Sequence, residues 1–311
     1  MRIVFIGAGE IGVPTLQALL RSSKHQLIGV VTQPDKPAGR AQRIESPPIK
    51  KALAGSKVPV LQPARIKDRQ AIEEIRTLQP DAIVVMAYGQ ILSRDVLEIP
   101  SIACVNLHAS LLPRWRGAAP IQAAIAAGDR ETGITLMYMA EGFDTGDILL
   151  QRKIDISPTD TGGSLHDRLA QIAPAALIDS LGLLASGTAP RIPQDNNLAS
   201  YAPKLTCDDG RIDWSAPAEI IERKIRALNP WPGAFATVVA KSEKPRNLKI
   251  FSASIVNLSG QPGEILRSEN ELIVAAGEDA LSLCDVQLEG KRRMSAREFS
   301  HGHASILRLV R

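Results

Sequence analysis

The chain is short of the features that mark several large classes of protein. Three cysteines in 311 residues, Cys104, Cys207 and Cys284, are too few and too widely spaced for a disulfide framework, and none falls in a C-x-x-C pair. That usage fits a reducing compartment, so cytoplasmic residence is expected. Aromatic residues make up only 4%, which argues against a surface that stacks many single-stranded bases. No run approaches the ~20 uninterrupted apolar residues of a membrane helix. The opening "MRIVFIGAGE" enters a strand directly, without the apolar region and small-residue cleavage site of a signal peptide. No membrane partner is expected. Neither sign of charge dominates: 37 Lys and Arg stand against 33 Asp and Glu, a net +4. So mild a surplus permits a polyanionic partner without identifying one.

What is present is a globular composition, 44% hydrophobic, in a chain long enough for two domains with real cores. The first half alternates as a doubly wound α/β domain does. "RIVFIG", "HQLIGVVT", "DAIVVMAYG", "IACVNLHAS" and "TGITLMYM" read as strands, several apolar throughout and so buried on both faces. Helices are expected over Ile11–Arg21, Pro48–Ala54, Asp68–Leu78, from Ala118 onward, and over Gly163–Ser186. "QPDKPAGRAQRIESPP" reads as a polar, proline-rich loop. "GTAPRIPQDNNLASYAPKLT" has the proline, asparagine and lack of periodicity of a linker. Short alternating strands follow, the pattern of a small OB-like β-barrel. The expected division is 1–188, a linker over 189–206, and 207–311.

"FIGAGEIG" places Gly7, Gly9 and Gly12 in the G-x-G-x-x-G spacing of a dinucleotide-binding turn. That fingerprint needs an acid closing the second strand to bind the ribose. Here the strand ends in Thr32-Gln33-Pro34, with Asp35 beyond a proline. The glycines are therefore expected to serve tight packing, and an NAD-dependent oxidoreductase is disfavoured.

The chemistry is concentrated further on. In "NLHASLLPRWRGAAPIQ", Asn106 and His108 are two apart at the end of an apolar strand, so both side chains leave one face. An amide donor beside an imidazole suits an acyl oxygen that becomes an oxyanion. In "EGFDTGDILL", Asp144 sits in a loop bracketed by Gly142 and Gly146, where a carboxylate can be aimed at an imidazole or take a proton through water. Cys104 is expected in the core, and His301 and His303 lack a third ligand for a metal. Lys291, Arg292 and Arg293 form a basic cluster suited to a solvated turn or a phosphate contact.

"NLHASLLPRWRGAAPIQ" with "DTGDIL" resembles the catalytic signature of the folate-dependent formyltransferases. "TQPDKPAGR", "MAYGQIL", "RIDWS" and "ALNPWPGAF" extend the resemblance over nearly the whole chain. They point to the branch that formylates the α-amino group of initiator methionyl-tRNA from 10-formyltetrahydrofolate. The resemblance implies that Asn106, His108 and Asp144 form the catalytic triad. It implies folate contacts from Ser110, Leu111, Leu112 and Pro113 and from the stretch holding Tyr88, Gly89, Ile91 and Leu92. Arg40 matches a basic residue that the family presses against the acceptor stem, with Lys36 and Arg43 beside it as further tRNA contacts. No metal is implied, and a monomer is expected. One departure is Ala8-Gly9-Glu10, where the family usually has a Thr-Pro or Ser-Pro turn. A relative acting on a small amine, such as a nucleotide sugar or glycinamide ribonucleotide, is the alternative; the basic loop and the C-terminal β-domain argue against it.

Overall fold

Continuous runs of Ile, Val and Leu that are buried on both faces build the centre of the first unit. The structure is a computed structural model and describes residues 1–38, 42–239, 245–268, 271–303 and 308–310. The first unit comprises Met1–Pro120, Glu131–Asp155 and His166–Pro203; the second comprises Ile121–Arg130, Ile156–Leu165 and Lys204–Arg311.

The chain runs through β1 (Arg2–Gly7), α1 (Val13–Arg21), β2 (Gln26–Val31), a hairpin of β3 (Lys36–Ala38) and β4 (Arg43–Glu45), α2 (Pro48–Ala52) and β5 (Val60–Leu61). It continues through α3 (Arg69–Thr77), β6 (Ala82–Met86), α4 (Arg94–Leu97), β7 (Ala103–His108), β8 (Arg116–Gly117), α5 (Pro120–Ala127), β9 (Glu131–Tyr138), β10 (Ile148–Asp155), α6 (Gly162–Ala185) and β11 (Tyr201–Ala202). The main sheet has the order β10-β9-β7-β6-β1-β2-β5. The five strands from β7 to β5 are parallel, while β9 is antiparallel to β7 and β10 to β9. From β1 the chain winds outward through β2 to β5, then returns to the other side of β1 for β6 and β7. The reversal opens a crevice at the carboxyl ends of the strands, where such sheets bind ligands.

The glycine turn after β1 packs rather than cradles. A Cβ on Gly7 would lie 2.7 Å from the Met86 carbonyl oxygen and 2.7 Å from the Phe5 ring, and one on Gly12 would lie 3.3 Å from both Ile49 and Phe5. The N–H groups of Ala8 and Gly9, which a phosphate would need, both donate to the Ala87 carbonyl at 3.3 Å. A 3-10 turn over Glu10–Gly12 precedes α1, so the α-helix begins at Val13 rather than at Ile11.

Two polar stretches are more ordered than their composition implies. Within the loop read over residues 33–48, β3 and β4 form a two-stranded hairpin, with Lys36 opposite Glu45 and Pro37 opposite Ile44. Residues 187–203 run along the first unit, bridging Ile148 through Ile192 and pairing β11 with β8. Helix α6 is long and apolar enough to cross a membrane by length and composition, although Asp167, Arg168 and Asp179 interrupt its apolar residues. Its Leu169, Ala173, Leu177 and Leu181 are fully buried in the first unit.

The second unit adds α7 (Ala218–Ala227) and the strands β12 (Ala234–Val239), β13 (Arg246–Val256), β14 (Ile265–Ser268), β15 (Glu271–Ala275) and β16 (Ala280–Leu288). It closes with β17 (Met294–Ser295), α8 (Ala296–His303) and β18 (Arg308–Val310). The strands form an antiparallel sheet in the order β14-β15-β16-β13-β12-β18, curled into a half-barrel. Ile221 and Ile225, one turn apart on α7, join Trp214, Leu248, Ile250, Val274, Leu283, Val286 and Phe299 in its core.

Because the Gly7 site is closed by backbone as well as by a ring, Gly7→Ala should destabilise the folded protein by about 1–3 kcal/mol through overpacking. Denaturant unfolding followed by circular dichroism measures this; an unchanged midpoint would show that the turn has room to spare.

Candidate active site

β7 ends at the crevice, and its period of two places Asn106 and His108 on the same face. His108 is buried and Asn106 half-buried. The polypeptide returns along β9 antiparallel to β7, with Met137 opposite Asn106 and Thr135 opposite His108, then turns through residues 140–147 before β10. That turn carries Asp144 back over the end of β7. Asp144 Oδ2 lies 3.5 Å from His108 Nδ1, and Asn106 Nδ2 donates to Asp144 Oδ1 at 3.4 Å. The two partners of the His108–Asp144 contact have only 7% and 16% of their side-chain surface exposed, so water screens them little.

Neighbouring backbone completes the constellation. His108 Nε2 lies 2.8 Å from the Trp115 carbonyl oxygen. Since a carbonyl only accepts, Nε2 carries the hydrogen, and in the neutral ring Nδ1 holds the lone pair on the Asp144 side. The Gly117 N–H donates to Asp144 Oδ2 at 2.8 Å. Gly117 has φ 114, and a Cβ there would lie 2.6 Å from the Ala202 carbonyl oxygen, so β8 approaches β11 this closely only with glycine. Ala87 (φ 49), Trp115 (φ 61) and Asp144 (φ 51) are left-handed despite their side chains. Such backbone persists only where its surroundings impose it, and here all three residues border the crevice.

The residues expected at the folate divide into two sorts. Ser110 is fully buried, with its Oγ donating to the Arg114 carbonyl at 2.6 Å and its own carbonyl accepting from Thr135 Oγ1 at 2.6 Å. Leu112 packs with Met137 and Ile148, whereas Leu111 and Pro113 are half-buried beside it. After β6, the Tyr88 and Leu92 side chains point into the core with Ile6, Val31, Ile66 and Val85. Burial pushes the Tyr88 phenol up to about 12. Ile91 is 64% exposed, and Gly89 is left-handed at φ 79. Among the described residues, the backbone N–H groups of Gly89, Ile91 and Leu92 donate to no protein acceptor. This segment therefore presents backbone donors and one apolar side chain, a set suited to a flat, polar-edged heterocycle.

The basic loop is anchored next to that segment. Gln33 Nε2 donates to the Tyr88 carbonyl at 2.7 Å, while Gln62 Nε2 donates to the Gln33 carbonyl and to Asp35 Oδ1. Lys50 Nζ donates to both Asp35 oxygens and to Gln62 Oε1. The Lys50 ammonium and the Gln62 amide hold the Asp35 carboxyl below its usual range, so this anchor is intact at neutral pH and loosens only in strong acid. Lys36 and Arg43 are exposed on the hairpin, with Lys36 Nζ donating to Gln33 Oε1 at 2.8 Å. Arg40 lies outside the described residues.

Sequence reading missed Gln194, whose Nε2 donates to the Asp144 and Gly146 carbonyls at 2.9 and 2.7 Å. A glutamine in an aperiodic, proline-rich stretch carries no local signal of such a role. The remaining candidates have other surroundings. Cys104 is buried, and burial pushes its thiol up to about 12, which disfavours the thiolate that a nucleophile needs. Arg292 bonds Glu298, and Arg293 pairs with Asp285 at 2.8 Å. No group of three or more His, Cys, Asp or Glu among the described residues could hold a metal.

Comparison with known proteins shows the family. The family described as formyl transferase matches residues 1–181, and that described as formyl transferase, C-terminal domain, matches residues 204–304. A methionyl-tRNA formyltransferase of Akkermansia muciniphila is 46% identical, with 98% of each chain covered. One of Methylacidiphilum infernorum is 48% identical over 97% of this chain and 95% of its own. Among solved structures, HypX from Aquifex aeolicus in complex with tetrahydrofolic acid superposes with a TM-score of 0.64 at 18% identity. The likeness covers 96% of this chain and 47% of HypX and is one of fold. With both of its parts matched and its full-length relatives nearly half identical, the chain belongs to the formyl transferase family.

Proposed function

We propose that the protein transfers the formyl group of 10-formyltetrahydrofolate to the α-amino group of initiator methionyl-tRNA, producing the formylated tRNA used to start translation. The convergence of Asn106, His108 and Asp144 at the end of β7 carries this assignment. It occurs in a chain whose identity to methionyl-tRNA formyltransferases runs through both units. When bound, 10-formyltetrahydrofolate supplies an acyl carbon and a leaving nitrogen. The backbone donors of Gly89, Ile91 and Leu92, the exposed Ile91 side chain, and Ser110 to Pro113 would hold it against the crevice.

Asn106 Nδ2 then donates to the formyl oxygen as negative charge collects there, from a position already fixed by β7. The bond from Nε2 to Trp115 supports proton acceptance by His108 at Nδ1, the atom that faces the carboxylate. The amine nitrogen would bond the formyl carbon as that carbon's bond to the folate nitrogen breaks. The proton the amine loses, directly or through water, would be held between Nδ1 and Asp144 Oδ2 and passed to the departing nitrogen. Asp144 stabilises the imidazolium that results, and the Gly117 N–H keeps Oδ2 in place. Residues 1–188 are assigned to catalysis and 207–311 to further tRNA contact, joined by 189–206. Arg40, Lys36 and Arg43 would meet acceptor-stem phosphates. Monomeric action in the cytoplasm belongs to this assignment.

Formyl transfer should be seen with charged initiator methionyl-tRNA and not with uncharged tRNA, a nucleotide-linked amino sugar or glycinamide ribonucleotide. Product only with a small amine would keep the chemistry and overturn the acceptor. His108→Ala and Asp144→Asn should each lower kcat by about 10²–10⁴-fold, and the double variant should lose little more than either. Losses that multiply in steady-state assays would mean the two act separately. Arg40→Ala should weaken use of tRNA and reduce the salt slope by about 1. Equilibrium binding of tetrahydrofolate should persist; its loss would assign the loop to the fold of the site.

A further inference from the structure

Gln194 lies in the stretch that neither matched family region covers, 182–203, where its neighbours Asp195, Asn196, Asn197 and Leu198 are exposed and it is half-buried. We propose that Gln194, oriented by Arg116, is a positioning residue that sets the Asp144 turn, which makes the connecting segment part of the active site. The inference rests on the formyl-transfer assignment above and deepens it.

The orientation follows from donor and acceptor chemistry. Arg116 is 2% exposed, and among the described residues no carboxylate pairs with it. Its Nε and Nη2 donate to Gln194 Oε1 at 3.1 and 2.8 Å, and Nη2 donates also to Asn196 Oδ1 at 2.9 Å. A guanidinium only donates, so it fixes which end of the Gln194 amide is oxygen. The NH₂ group must then face the Asp144 and Gly146 carbonyls, and it bonds both.

The turn needs such a holder. Glu141, Gly142, Phe143 and Thr145 are exposed, and Asp144 is left-handed, so packing alone does not determine where its carboxylate points. The same strap fixes the other side of that carboxylate. Ser200 Oγ accepts the Trp115 N–H at 2.9 Å, the Ser200 carbonyl accepts the Arg116 N–H at 2.8 Å, and β11 pairs with β8, whose Gly117 N–H bonds Asp144 Oδ2. One segment thus holds both the backbone beneath Asp144 and the donor above it. Glutamine is suited to this place because it accepts from a cation at one end and donates twice at the other.

The test uses full-length Gln194→Ala and Gln194→Glu, each also in the Asp144→Asn background. Glutamate keeps the shape and gains an ion pair with Arg116 but sets an acceptor against two carbonyls. Both single variants should lower kcat for formyl transfer by about tenfold or more, because small displacements of a reacting group are costly. KM for both substrates should stay within about twofold, since the binding surfaces are untouched, and each variant should remain fully folded at the assay temperature. In the Asp144→Asn background, Gln194→Ala should cost almost nothing further. A Q194E enzyme with wild-type kcat, or an equal loss with and without Asp144, would overturn the proposal. If wild type fails on methionyl-tRNA but formylates another amine, the assignment of the acceptor falls, and the same ratios measured with that amine still decide the role of Gln194.

Discussion

A half-buried carboxylate is tolerated only where donors meet it, and Asp144 gathers its partners from three separate places in the chain. Asn106 donates to it from β7, where His108 lies beside it, the Gly117 N–H donates from β8, and Gln194 in the strap bonds the backbone carbonyl of the same residue. Without Asn106 or the Gly117 N–H the carboxylate is less well solvated by protein, and without Gln194 it is less well aimed. Much of the crevice can be understood as the means of bringing these elements together. The left-handed backbone at Trp115 and Asp144 turns a carbonyl toward His108 and a carboxylate toward both β7 side chains.

The sheet supplies the rigid reference. Five parallel strands, β6 among them buried throughout, place the end of β7 next to the end of β6, so triad and proposed folate segment share one edge. Antiparallel β9 then returns the chain beside β7, which lets a short turn deliver Asp144 across the sheet edge. The chemistry asked of these groups is modest. An amide oriented before reaction stabilises developing charge without reorganising, and an imidazole whose far nitrogen is pinned presents one lone pair in a known direction.

The glycine triad illustrates how a motif can mislead when taken alone. Its spacing matches a dinucleotide turn, but the N–H groups that would receive phosphate are occupied by the Ala87 carbonyl, and the missing Cβ atoms make way for Met86, Phe5 and Ile49. The absent acid after Thr32 pointed in that direction from sequence. The reasons the glycines are needed became visible only in the packing.

Local regularities were legible in the linear chain. Apolar runs announced β1, β6 and β7 because strands buried on both faces need no alternation. The i, i+2 relation of Asn106 and His108 fixed their common face, and the bracketing glycines marked a turn at Asp144. Composition misdirected where order comes from partners distant in sequence. The β3–β4 hairpin is tied through Asp35, Lys50, Gln62 and Gln33, and the segment read as a linker is held by Ile148, Gly117 and Arg116. The stretch from Tyr88 to Leu92 was named for its backbone, and the structure adds that the Tyr88 and Leu92 side chains fill the core. The sequence by itself determined the fold class, the strand that carries the chemistry and the residue types available, since these depend on periodicity and on functional groups. Only the tertiary structure decided that His108 presents Nδ1, that Gly117 and Gln194 secure Asp144, and that the strap belongs to the site, since each depends on hydrogen bonds between residues far apart along the chain.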